Sequence, residues 1–106
     1  MFRLHESPSG HVIYVGKNAK ANDELIKQSH PDDLWFHAYN VAGSHVVLQQ
    51  IADLEPTNED IAYAANLAVQ YSKGNTRKAS MCTIKDLIKC KNPGEVLLKK
   101  EKIIKI

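Results

Sequence analysis

An α+β fold, built on a mainly antiparallel sheet with one long and one short helix, is what this sequence predicts. Three observations lead there. Short β-prone runs bounded by turn residues fill both ends of the chain. A single apolar stripe at helical spacing, Ile61, Ala64, Ala65, Ala68 and Tyr71, occupies the middle. Two apolar segments, 34–38 and 44–50, are separated by five residues, as in a hairpin with a longer loop.

The elements follow in order. Residues 2–7 alternate as a strand, Ser7-Pro8-Ser9-Gly10 has turn chemistry, and residues 11–15 return as a second strand ended by Gly16. Asn22 suits the N-cap of a short helix over 23–29, with Asp23 and Glu24 favouring its dipole. Pro31 closes that region. Thr57 caps the long helix, Glu59 and Asp60 lie in its first turn, and Gly74-Asn75 stops it. Four short β-prone runs follow at 79–85, 87–91, 95–98 and 103–106, with Asn92-Pro93-Gly94 as a turn. The whole chain, 1–106, is expected to form one domain.

Composition narrows the function. With 43% apolar and 25% charged residues the chain reads as globular. No apolar run reaches the roughly 18 residues of a membrane helix, and residues 1–6 contain no signal-like apolar stretch. A cytoplasmic location with Cys82 and Cys90 as free thiols is the expectation. The net charge of +2 conceals a split. Residues 1–72 carry four Lys/Arg against nine Asp/Glu; residues 73–106 carry ten against three. A basic last third, joined by Lys17, is expected to form one surface that meets a polyanion. Strand-edge lysines that block aggregation are the alternative use of such charge.

The two segments of the hairpin carry the most informative chemistry. Pairing Ala38 with Ser44 sets His37 opposite His45, Phe36 opposite Val46 and Trp35 opposite Val47. Leu34, Phe36, Ala38, Val46 and Leu48 then share a core face. Trp35, His37, His45, Val47 and Gln49 share the other, which offers stacking and hydrogen bonding to a base or a phosphate unless a helix or loop covers it. A two-histidine metal site lacks a third ligand at any clear spacing.

Gly16-Lys17-Asn18 fails as a phosphate loop. The preceding glycine, Gly10, is one residue too far, and Asn18 stands where Ser or Thr is required. What remains is a turn with one basic side chain. Asp32 and Asp33 read as turn and helix-end residues. Lys73, Arg77 and Lys78 follow the long helix, where they suit its dipole or meet phosphates. No nucleophile–base arrangement specifies a reaction.

Several of these segments together resemble the NFACT-R family. They are Phe2-Arg3 with Gly16-Lys17-Asn18-Ala19 and Asn22-Asp23; Asp33-Leu34-Trp35-Phe36-His37-Ala38 followed by Gly43-Ser44-His45-Val46-Val47-Leu48; Ala64-Ala65-x-Leu67-Ala68 with Tyr71-Ser72-Lys73; and Pro93-Gly94-x-Val96. The similarity covers nearly the whole chain in the family's order. It implies an RNA-binding, non-enzymatic domain without cofactor, of a kind usually placed behind an N-terminal domain and a coiled coil in factors that bind the large ribosomal subunit and tRNA. Neither companion is visible here, so tail synthesis is not implied. The sequence departs from the family pattern at Ala42, where proline is common, and in a shortened segment between Lys89 and Pro93.

The expectation is therefore binding of structured RNA, tRNA or ribosomal RNA, through Lys17, Asn18, Trp35, His37, His45, Lys73, Arg77 and Lys78. A module that docks on a ribosomal or partner protein is the first alternative. A small enzyme using the face of His37 and His45 is the second.

Overall fold

A computed structural model describes all 106 residues. Strands β1 (Phe2–Glu6) and β2 (Val12–Gly16) form a hairpin, followed by helix α1 (Ala19–Gln28). Strands β3 (Leu34–Ala38) and β4 (Val46–Leu48) precede helix α2 (Asn58–Gln70). Strand β5 (Lys78–Thr83) runs into a 3-10 turn, then β6 (Leu87–Lys89), β7 (Val96–Leu98) and β8 (Lys102–Lys105). Six strands form one antiparallel sheet in the order β1-β2-β4-β3-β5-β8, and β6 pairs with β7 as a separate ribbon. The α+β expectation with a longer and a shorter helix holds.

The hairpin register is the one the alternation predicts: Phe36 faces Val46 and Trp35 faces Val47. Both faces of the sheet are covered. On one, Phe36, Val46, Leu48, Ile13 and Val15 pack against Ala64, Ala65, Leu67 and Ala68 of α2. On the other, Trp35, Val47, Cys82 and Ile84 pack against Leu25 and Ile26 of α1, with Val96 and Leu98 of β7 alongside.

Thr57 caps α2 as expected, in a reciprocal capping box with Asp60. Asp60 is buried, which would raise its pKa. Donors from the Thr57 and Ser9 backbone and the Ser7 and Thr57 hydroxyls outweigh that and hold it well below the usual carboxylate range. The helix stops at Gln70, before Gly74, because the chain beyond it pairs sideways. The Tyr71 carbonyl accepts from Ser44 N–H at 3.1 Å, and Ser72 bridges Gly43.

The start of α1 corrects the sequence reading. The cap is Asn18, whose side chain accepts from Ala21 N–H at 2.8 Å. Asn22 lies inside the helix and is buried. Its carboxamide oxygen accepts from His45 N–H at 3.1 Å, so it cannot also cap. Asp23 and Glu24 therefore fall beyond the first turn and face Lys27. Strand β4 is shorter than 44–50 for a related reason. The Ser44, His45 and Gln50 N–H groups are taken by the Tyr71 carbonyl, Asn22 and the Asp33 carboxylate. Asp33, buried, also accepts from His30 N–H at 2.9 Å, which confirms its turn role.

Candidate nucleic-acid interface

Four chain segments are tied together around His45. Gly16 N–H donates to the His45 carbonyl at 3.0 Å, while Asn22 accepts from its N–H. A Cβ on Gly16 would collide with Asn22 Oδ1, so only glycine lets β2 and α1 approach this closely. On the far side, Lys73 N–H donates to the Ala42 carbonyl at 2.8 Å. A Cβ on Gly43 would lie 3.0 Å from Ser72 Cα, so glycine seats the β3–β4 loop against the end of α2.

These ties enclose a cleft of about 860 Å³ between the start of α1, the β3–β4 loop, the end of α2 and the Asn92-Pro93-Gly94 turn. Lys17, Asn18, His37, His45 and Lys73 all line it. A second lobe of about 560 Å³ shares the His37 and His45 wall and reaches Trp35. Glu95 is the one carboxylate of the main cleft.

Three aromatic rings form the wall. Trp35 and His37 stack in parallel, centroids 5.7 Å apart, and His45 meets both edge-on at 5.3 and 5.5 Å. His37 Nδ1 lies 2.8 Å from the Ala38 carbonyl, which can only accept; Nδ1 therefore carries the proton. Burial first, then the neighbouring His37, pushes the His45 pKa down to about 4, against the opposing pull of the Gly94 carbonyl and Asp23. His45 is neutral at pH 7.

The structure thus brings five of the eight expected residues to the main cleft, sets Trp35 against His37 and His45 behind it, and places Arg77 and Lys78 apart. Trp35 is only 2% exposed, covered by α1 and the β6–β7 ribbon, with His37 on one face of its indole. The open stacking platform expected on this face is corrected to a buried wall. Arg77 and Lys78 line a separate shallow depression, where the Lys78 ammonium sits 6.0 Å from the Tyr39 ring centre. Two lysines of the basic last third are in ion pairs. Lys89 lies 2.8 Å from Asp23, whose pKa it lowers, and Lys85 lies 3.1 Å from Asp32.

Asn22, Ser44, Tyr71 and the 92–95 turn also belong to the cleft, beyond the residues expected there. Asn22 carried a visible signal, its place one turn after Gly16-Lys17-Asn18, but that signal also fits a cap. Tyr71 is held by Arg3, whose guanidinium lies 5.0 Å from the ring centre.

Other chemistry is sparse. No three His, Cys, Asp or Glu side chains converge as metal ligands. Cys82 and Cys90 are unbonded. Burial, with Asp86 and Glu101 adding to it, pushes the Cys82 thiol up to about 12, far from a nucleophile at neutral pH. No helix is long and apolar enough to cross a membrane.

Comparison with known proteins decides the family. Residues 1–101 match the family described as NFACT protein RNA binding domain. The chain belongs to that family. It is 36% identical over 101 residues to the Rqc2 homolog RqcH of Streptococcus pneumoniae, covering 90% of this chain and 18% of that protein. The Bacillus subtilis Rqc2 homolog RqcH is 40% identical over 74 residues, 69% of this chain and 12% of that protein. Coiled-coil domain-containing protein 25 of Danio rerio shares 44% over 39 residues, 37% of this chain and 19% of its own. This NFACT-R chain therefore spans less than a fifth of these curated relatives. The solved C-terminal part of the fibronectin/fibrinogen-binding protein from Streptococcus suis superposes with a TM-score of 0.88 at 34% identity, covering 99% of this chain and 44% of that one.

Proposed function

We propose that this NFACT-R chain binds structured RNA, tRNA or ribosomal RNA, without catalysing a reaction on it, in a cytoplasmic, ribosome-associated setting. The observation that carries the reading is convergence. Lys17 and Asn18 from the β2–α1 turn, His37 from β3, His45 from just before β4 and Lys73 from just after α2 line one cleft, in a chain whose family is described as RNA-binding. Lys17 and Lys73 supply positive charge for phosphates. Asn18 has its side-chain oxygen committed to the helix cap, which leaves its amide to donate. Arg77 and Lys78 extend the interface outside the cleft. The RqcH-named relatives support the ribosomal setting.

Fluorescence anisotropy of labelled tRNA and of an rRNA stem-loop, repeated over a salt series, tests the proposal. Four to six phosphate contacts are expected to give a log–log slope of about −3 to −5. A folded protein that binds neither RNA at low salt defeats it in favour of docking on a ribosomal or partner protein.

A further inference from the structure

The cleft that gathers Lys17 and Lys73 also contains a carboxylate, Glu95, on the turn after Gly94. All three side chains are exposed and none is in an ion pair, so both signs of charge line one cleft without neutralising each other. Two cations suit phosphates. A carboxylate there repels a phosphate and weakens binding unless the ligand also brings a hydrogen-bond donor to meet it. Glu95 lines the second lobe as well, together with Glu101. Glu101 already accepts from the Ser80 hydroxyl of its own chain, which leaves Glu95 as the carboxylate available to a ligand. His37 adds a second acceptor, because it lines both lobes and is half-buried. Its Nδ1 carries the proton, so Nε2 of the neutral ring has a bare lone pair. That nitrogen has no partner within the chain and is not enclosed. The site therefore offers cations at Lys17 and Lys73 and reachable acceptors at Glu95 and His37.

We infer that Glu95, with His37 Nε2, makes the cleft selective for RNA over DNA by accepting a ribose 2′-hydroxyl next to the phosphates that Lys17 and Lys73 hold. The inference rests on the RNA-binding reading and sharpens it. In a structured RNA the Watson–Crick donors of the bases are used in pairing. The 2′-hydroxyls instead lie along the wide, shallow minor groove, one sugar away from the phosphates. A cleft of cations and acceptors matches that juxtaposition. DNA carries the same phosphates without the hydroxyl. Against DNA, Glu95 contributes repulsion alone, so one carboxylate favours the first polymer and disfavours the second.

One hairpin stem made three ways tests this: as RNA, as the same RNA with 2′-fluoro sugars, and as DNA. The 2′-fluoro sugars keep the A-form and remove the donor, so shape and hydroxyl are read separately. Fluorescence anisotropy at one fixed salt concentration is expected to show the RNA binding about tenfold tighter than either analogue, the scale of one hydrogen bond to a charged group. Glu95 is exposed on a turn, so Glu95→Ala is expected to melt with the wild type. It should bind RNA more weakly and both analogues more tightly, and the tenfold ratio should collapse toward one. His37→Phe, which keeps a ring and removes the acceptor, should lower the ratio in part. Lys17→Ala should weaken all three stems and keep the ratio. A wild type that binds the RNA no better than either analogue, or a ratio that survives Glu95→Ala, overturns the inference and leaves RNA binding standing. Binding of no stem by folded protein removes RNA binding and the inference together.

Discussion

The two faces of the sheet are made from the same strands by alternation, yet they are built differently. The α2 face is carbon throughout at its centre, with Phe36 and Val46 set against a helix narrowed by Ala64, Ala65 and Ala68. Small helix residues let backbone and sheet approach closely. The α1 face carries Trp35 and Val47 at the neighbouring positions, and beside them His45 with its depressed pKa. Two ring nitrogens there go without partners. The contrast teaches that one alternation can give one face an apolar core and set polar rings beside a cleft on the other.

The largest expected effect attacks the carbon face. Phe36 is fully buried, and Phe36→Ala is expected to cost about 3–5 kcal/mol, read as a lowered urea midpoint. Whatever fraction stays folded should bind RNA with native affinity, because Phe36 points away from the cleft. Trp35→Ala, 2% exposed in the wild type, is expected to lose both stability and binding. An equal drop in RNA affinity for the two variants would break the division between faces.

The next effect separates the faces by pH. His45 titrates at about 4 in the fold against about 6.5 unfolded, so the unfolded chain binds the proton more readily. Stability is then complete above pH 6.5 and falls as pH drops toward 4, by roughly 3 kcal/mol in all. Asp60, on the α2 side, has its pKa lowered from 3.8, so its contribution is complete above that value and fades only below it. Denaturation midpoints between pH 7 and 4 should therefore report the α1 face almost alone. His45→Phe should flatten that window and leave the acid limb below pH 4 unchanged.

How much of this was readable in the sequence differs between the same two faces. The alternation of residues 34–38 and 44–48 sets the register, and the Ala64–Ala68 stripe marks what lies on Phe36. The closing of the Trp35 face was not readable, for two reasons. The ribbon that helps cover it is made of three-residue strands, too short to show which sheet they join. The helix that covers the rest begins at Ala19 because Asn22 is diverted to His45 N–H, a pairing between residues 23 apart that no local pattern encodes. The cleft residues were visible one by one, and their meeting was not. Lys17 and Lys73 come together only because the β3–β4 loop is tied to both α1 and the end of α2. Arg77 and Lys78 stand close to Lys73 in sequence and still fall outside.

That diverted asparagine gives a smaller effect. Gly16→Ala forces the Asn22 side chain off its place against β2, leaving His45 N–H buried without its acceptor. The expected loss is about 1–3 kcal/mol, the scale of one unsatisfied buried donor. Because the same hydrogen bond positions His45, RNA affinity at temperatures where the variant is fully folded should also fall. A variant that melts lower but binds normally would show that His45 is positioned by β3 alone.

The smallest effect on stability should accompany a clear effect on binding, and it sharpens the comparison inside the interface itself. Lys17 and Lys73 face the cleft, whereas Arg77 and Lys78 lie in the adjoining depression, and none of the four is in an ion pair. Exposed charges contribute little to folding, so the double variants Lys17→Ala/Lys73→Ala and Arg77→Ala/Lys78→Ala should melt close to the wild type. Each phosphate left without its cation should lower the magnitude of the salt slope by about 0.7–0.9, so each double variant is expected to flatten it by about 1.5 units. The pairs should differ in the size of the effect. Lys17 and Lys73 line one cleft, so their loss should weaken RNA binding more than the loss of Arg77 and Lys78. Anisotropy titrations of tRNA and the rRNA stem-loop against both variants, run beside thermal melts, give four affinities to compare. Equal weakening by the two variants would reduce the cleft lysines to the same role as Arg77 and Lys78, a general electrostatic surface.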